Sequence, residues 1–445
     1  MHGVLNHFCC LFLIFTCTIS VYAQKKETPE VERFPIGTTS FPFDAEVTFI
    51  LTARFQQYNW NPTDTNDILD QSIFSPKSAA FTPDGKKLYV NSLEGYTTSV
   101  YDIKTLKRLK VIKHEFNAIE NAELFLKNEH SVFGYRYPNR TNNHNSFSGK
   151  PVESCFTHEG KYLWVTYYRR SYDLNAQSPS AVAIIDTETD QIVRVMPTGP
   201  LPKMIASSPD DKYVAITHWG DNTIGIIDIT GDSTHHFSYV SHFVVDERIE
   251  LSFEKDKKVD RDHNCGYCLR GTTFSPDSKY LFVGKMGGDG GIAVFDMDSL
   301  SYKGAVFGSK ANIRQIVAQQ DHLFLGCNAT GFVQRGKWRE IVEKRTNSHE
   351  KFVDYKDWES CNVGYGVRTI ATTPDGQYIF ACVNGENKIA VIRASDMTEI
   401  ASIGADSYPV GMSLSHDAQK LVVTSQGKSR KGGNSVMIYD IHYKM

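Results

Sequence analysis

The sequence predicts an all-β fold: a seven-bladed β-propeller built of four-stranded blades. Three observations carry this reading. One short motif recurs seven times between residues 75 and 423, each copy has the layout of a β-hairpin that runs on into further strands, and the last copy runs out of chain one strand early. Internal repetition of one multi-stranded unit is the signature of propeller architectures.

In chain order, residues 8–22 (FCCLFLIFTCTISVY) form an apolar run, closed by Ala23 and the polar stretch Gln24, Lys25, Lys26, Glu27. This is the pattern of a secretory signal peptide with the small residues Val21 and Ala23 at the cleavage site. Cleavage after Ala23 and an extracytoplasmic location (periplasmic, cell-surface or secreted) are therefore expected. The segment before the apolar run holds no Lys or Arg, so an uncleaved anchor is the alternative. No later run reaches the roughly 18 apolar residues of a membrane span. Residues 24–44 read as a leader, and 45–445 as a single propeller. The leader is followed by Ala45 to Phe55 (AEVTFILTARF), a strand with no neighbour of its own.

The seven copies then follow. SPKSAAFTPDGKKLYV (75–90), KPVESCFTHEGKYLWV (150–165), LPKMIASSPDDKYVAI (201–216) and LRGTTFSPDSKYLFV (269–283) are the clearest, with weaker ones at 313–325, 366–380 and 409–423. Each is an apolar run, a Pro-Asp-Gly type turn and a second apolar run, which is hairpin chemistry. Most continue into a third strand ending in Asp (TSVYDI, AVAIIDT, TIGIIDI, GIAVFDM, SVMIYDI) and then a fourth. The chain stops within four residues of SVMIYDI (435–441), so the seventh blade lacks its outer strand. The orphan strand 45–55 is expected to supply it, closing the ring and removing the open sheet edges.

These units resemble the YVTN-type propeller repeat, the group that includes surface-layer propellers, propeller lactonases and amine-dehydrogenase-like heavy chains. The resemblance covers about residues 45 to 441 and is clearest in LPKMIASSPDDKYVAITHWGDNTIGIIDI (201–229). It implies the fold and leaves function open, because such propellers serve as enzymes, binding proteins and scaffolds.

Aligning the copies on their turns fixes the residue that begins each innermost strand: Lys77, Val152, Lys203, Arg270, Arg314, Arg368 and Val410. Five of these seven are basic, in a chain whose 48 Lys and Arg against 51 Asp and Glu give a net charge of −3. That balance excludes a general nucleic-acid binder. A collar of cations around one mouth of the channel calls for compensation, by a bound anion or by neighbouring carboxylates such as Glu153. Strand alternation places the second-to-third connections on the same face, with Tyr168, Arg169, Arg170, His218, Trp219, Lys285 and Lys428, Arg430, Lys431. Arg groups interleaved with aromatics suit carboxylate, phosphate or sugar-ring recognition. Three long segments, 114–149, 232–268 and 346–365, read as blade-to-blade connections decorating that face.

No hydrolase elbow, Walker loop, dinucleotide-binding glycine pattern or HExxH helix is present, so catalysis has no motif behind it. Glu153 or His218 as a general base is the weak catalytic candidate, on the lines of a propeller lactonase. Six cysteines remain beyond residue 23, and sequence leaves their pairing open. His263, Cys265 and Cys268 are weak metal or redox candidates, with a disulfide as the alternative; no cofactor is otherwise expected. The leading expectation is an exported propeller, monomeric or within a complex, whose basic and aromatic face engages an anionic small molecule, an acidic glycan or an envelope protein. Neither a nucleic acid partner nor a transmembrane span is expected.

Overall fold

A computed structural model describes residues 31–57, 64–126, 145–250, 259–427 and 432–444. Among these residues seven sheets are present, each built on four antiparallel strands, and their innermost strands touch one another in cyclic order. These strands are Pro76–Phe81, Phe147–Thr157, Pro202–Ser207, Leu269–Phe274, Ile313–Gln319, Val367–Thr372 and Pro409–Leu414. The fold class is the predicted seven-bladed propeller.

The repeat motif works through its turn. In five blades a Ser or Thr hydroxyl donates to the Asp two positions on, at 2.5 to 2.6 Å: Thr82 to Asp84, Ser208 to Asp210, Ser275 to Asp277, Thr373 to Asp375 and Ser415 to Asp417. The following residue has positive φ in every copy (Gly85, Asp211, Ser278, Gly376, Ala418), which is why Gly fills two of the five positions. The Asp that ends the third strand caps the next turn in the same manner, as Asp102 accepts from the Thr105 amide at 2.7 Å and Asp296 from the Ser299 amide at 2.9 Å. Between neighbouring blades lie apolar layers such as Leu163, Val165, Ala181 and Ala183 of blade two against Tyr89 and Val100 of blade one, which contribute the main cohesion of the ring.

The ring closes as predicted. Val47–Gln56 pairs antiparallel with Ser435–Tyr443, from Val47 opposite Tyr443 to Gln56 opposite Ser435, and Asp67–Leu69 adds a parallel edge strand. Arg54 of the closing strand bonds Asp406 (3.0 Å) and Asp67 (2.9 Å) with its side chain sealed from water. The described part of the leader is a strap: the Glu32 amide donates to Ser407 Oγ at 2.7 Å, Phe41 bridges to Ser402, and the Phe34 ring fills the space a side chain at Gly404 would need.

Two of the three expected connections are corrected. Segment 346–365 does not join blades on the collar face, because the outer strand of blade five, Glu359–Asn362, lies inside it. The excursion starts earlier, with a helix at Trp338–Thr346 on the opposite, turn-bearing face, where Trp338 Nε1 donates to the Gln320 carbonyl at 2.9 Å. Its signal was present as a helical spacing of buried residues, Trp338, Ile341, Val342 and Arg345. Segment 232–268 likewise contains the outer strand of blade three, Ser238–Val244, so the connection to blade four begins only after Val244, with its residues 251–258 outside the described set. The third, 114–149, does connect blades one and two, with its residues 127–144 outside the described set.

Candidate functional site

A cavity of about 420 Å³ opens at the mouth where the inner strands begin. Its wall includes Lys77, Val152, Lys203, Arg270, Arg314 and Arg368, joined by Ser75, Leu93, Glu94, Lys150, Tyr168, Arg169, Asp262, Gln426 and Gly427. The five predicted collar cations thus meet in one space. The reason is a local irregularity that every blade repeats. Each inner strand carries one extra residue at this point, with register breaks at Pro76/Ser78, Pro151/Ser154, Pro202/Met204, Leu269/Thr272, Ile313/Gln315, Val367/Ile370 and Pro409/Gly411. The collar residues Lys77, Val152, Lys203, Arg270, Arg314, Arg368 and Val410 all sit within these β-bulges. A bulge interrupts the pleat and re-aims the side chain it carries, here to the channel mouth.

The cations divide into two kinds. Lys203 is bonded to Asp262 and lies 3.8 Å from the Trp219 ring centre and 5.2 Å from that of Tyr168. Burial brings its ammonium down to about 7 in spite of that carboxylate. Arg270 donates to Glu153 at 3.0 Å. Lys77, Arg314 and Arg368 have no carboxylate partner among the described residues: Arg314 faces the Met286 sulfur at 4.0 Å and Arg368 the Tyr408 ring at 5.7 Å. Lys77 is 7% exposed. Burial, followed by repulsion from Arg368 and Arg270, drives its ammonium well below the ordinary lysine value. The Nε atoms of Arg270, Arg314 and Arg368 are buried without a hydrogen-bond partner.

The remaining sequence candidates separate. Arg169 lines the cavity, stacks 5.4 Å over the Tyr168 ring and donates to the Leu174 carbonyl at 2.5 Å. Trp219 stands behind Lys203, its indole donating to the Asp262 carbonyl at 3.1 Å. Arg170 is not at the cavity: it is buried against Phe147, with its guanidinium on the Ser180 carbonyl at 3.0 Å and the Tyr172 hydroxyl at 3.1 Å. His218 is also withdrawn. Its Nε2 accepts from the Gly199 amide at 3.0 Å, its Nδ1 meets Thr223 Oγ1 at 2.8 Å, and burial holds its ring neutral with a pKa of about 3. As the last residue of a fully buried strand, Tyr213–His218, it completes a blade instead of facing the channel. Lys285 is fully buried between Asp246 (3.1 Å) and Asp289 (2.6 Å), and Lys428, Arg430 and Lys431 lie outside the described residues.

The metal candidate is corrected too. Cys265 and Cys268 form a disulfide, and His263 is exposed with its Nδ1 3.1 Å from Asp260. Among the described residues no cluster of His, Cys, Asp and Glu could hold a metal ion, and no helix is long and apolar enough to cross a membrane. Sequence reading missed Asp262 and Lys150. Asp262 sits in an insertion outside the repeat, where periodicity assigns no direction to a side chain.

Fold and site together define a seven-bladed β-propeller with a cation-lined funnel at one mouth. The chain is similar in structure to Kuenenia stuttgartiensis hydrazine synthase (15% identity, 86% of this chain and 98% of that chain, TM-score 0.55). It is similar also to the Cps50 (Swd1) β-propeller domain of Myceliophteria thermophila (10%, 84% and 98%, TM-score 0.55) and to a chain of the mitotic checkpoint complex (12%, 86% and 93%, TM-score 0.54). At such identities the likeness shows the fold alone. No protein-family model matches the chain, and no curated protein matches it.

Proposed function

We propose that this is an exported binding propeller, cleaved after Ala23, whose funnel holds an anionic ligand such as an acidic sugar or a phosphorylated or carboxylated small molecule. The observation that carries the reading is the trio Lys77, Arg314 and Arg368, which share one cavity and lack carboxylate partners among the described residues. Retaining buried like charges is costly unless something of opposite sign spends time among them. An anion in the funnel offsets that cost, and the aromatic wall at Tyr168 suits a ring.

Hydrolysis of the lactonase type gains no support from the geometry. Glu153 is engaged by Arg270 and His218 is sealed within its blade.

The test is a thermal-shift series on residues 24–445 with uronates, phosphates and carboxylates, at low and high salt. The variant for comparison reverses the charge at Arg270, Arg314 and Arg368. A ligand at a hundredfold excess over its Kd stabilises the native state by about 2.7 kcal/mol. A salt-sensitive rise in wild type that the folded variant lacks is the expected result. Equal shifts in both proteins would sink the collar as the binding site, and no shift with any anion would turn the face into a candidate for docking an envelope protein.

A further inference from the structure

The funnel's charges are unevenly placed, and this inference rests on the anion reading above. On blades three and four each collar cation has its own carboxylate, Lys203 with Asp262 and Arg270 with Glu153. On blades five, six and one, Arg314, Arg368 and Lys77 have none among the described residues, and blade seven, which stands between six and one, contributes the apolar Val410. One continuous sector of the ring therefore presents three basic side chains, none with a carboxylate bonded to it among the described residues.

These three act as a group. Arg314 is repelled by Arg368 and Arg270, and Lys77 by Arg368, Arg270 and Arg314, with Glu153 as the opposing charge. A ligand with one acid group would balance one of the three and leave the other two facing each other at low dielectric. Linking acid groups on a single framework lets the second and third engage at high effective concentration. A cavity of about 420 Å³ has room for a small molecule with its acid groups close together.

We propose that the ligand is a compact polyanion, with two or more carboxylate or phosphate groups on one small framework, seated against Arg314, Arg368 and Lys77. The paired sector and Tyr168 face the rest of the molecule.

Titration calorimetry of the mature protein tests this with citrate and pyrophosphate against acetate and glucuronate at matched ionic strength. The expected result is at least about tenfold tighter binding of the polyanions, a ratio that collapses in Arg314→Gln and Arg368→Gln but persists in Lys420→Gln on the turn face. Melting curves establish that each variant is folded, and Arg→Lys substitutions, which keep the charge, restore part of the ratio. Salt-sensitive binding of glucuronate or acetate as tight as that of citrate and pyrophosphate would overturn the polyanion assignment and leave the anion site standing. Absence of binding by all four probes would overturn both.

Discussion

Arg270 of blade four reaches past the inner strand of blade three to hold Glu153 of blade two at 3.0 Å. The pair removes one positive charge from the funnel, so Glu153 limits the strength of the site. Glu153→Gln should tighten citrate binding by about fivefold at low salt, on the order of 1 kcal/mol at the effective dielectric of a half-buried site. Calorimetry on the folded variant measures it, and weaker binding would mean that Glu153 itself contacts the ligand.

The buried ammonium groups make both stability and binding depend on pH. Lys203 titrates near 7 in the native state and Lys77 well below its ordinary value, whereas both stay protonated to about 10.4 when unfolded. Between these limits the unfolded chain binds more protons, so the destabilising contribution of Lys203 is full below about pH 7 and is relieved as pH rises, and that of Lys77 is likewise relieved as pH rises above its own lowered value. Lys77→Met, which has no such group to desolvate, should be more stable than wild type at pH 7, by a margin that narrows toward pH 10. A margin constant with pH would contradict this.

Anion binding supplies the missing counter-charge and should raise the same ammonium groups, so protons are taken up on binding and affinity falls as pH rises above 7. Calorimetry at pH 8 in two buffers of different ionisation enthalpy reads the uptake directly. Identical heats in both buffers would show that the lysines are not coupled to the ligand.

Ring closure depends on a buried ion pair. Arg54 and Asp406 are 3.0 Å apart with side chains 3% and 0% exposed, and Ser435 also donates to Asp406, at 2.6 Å. Arg54→Met leaves that carboxylate without its cation, at a cost of about 3 to 5 kcal/mol. Chemical denaturation should show this loss, with Asp406→Asn in the same background recovering part of it.

His218 is predicted to matter for folding and not for chemistry. His218→Ala orphans the buried Gly199 amide, a loss of about 1 to 3 kcal/mol, while the Thr223 hydroxyl keeps its bond to Asp221 at 2.7 Å. Citrate affinity, measured at a temperature where the variant is folded, should stay within about twofold of wild type. A selective loss of binding with unchanged stability would place this histidine in the site after all.

Six cysteines beyond residue 23 resolve into one disulfide, Cys265 with Cys268, and four thiols, Cys155, Cys327, Cys361 and Cys382. Denatured protein comprising residues 24–445 should titrate four thiols before reduction and six after it.

The chain's own sequence determined the architecture. Repeated Ser/Thr-Pro-Asp turns fix where each hairpin reverses, because the turn is held by hydrogen bonds between residues two apart, and the missing outer strand of the last copy dictated closure by Val47–Gln56. It also placed Lys77, Lys203, Arg270, Arg314 and Arg368 at one level of the ring, since repeat phase is a local property. Tertiary structure alone decided which of them keep a net charge. Glu153 lies 117 residues from Arg270 and Asp262 lies 59 from Lys203, and only the folded ring brings those carboxylates within bonding distance. The same holds for His218 and Arg170, adjacent in pattern to the collar yet committed to the blades by Gly199, Thr223 and Ser180. Local sequence sets the direction of a strand, whereas desolvation and ion pairing depend on what the rest of the chain places opposite it.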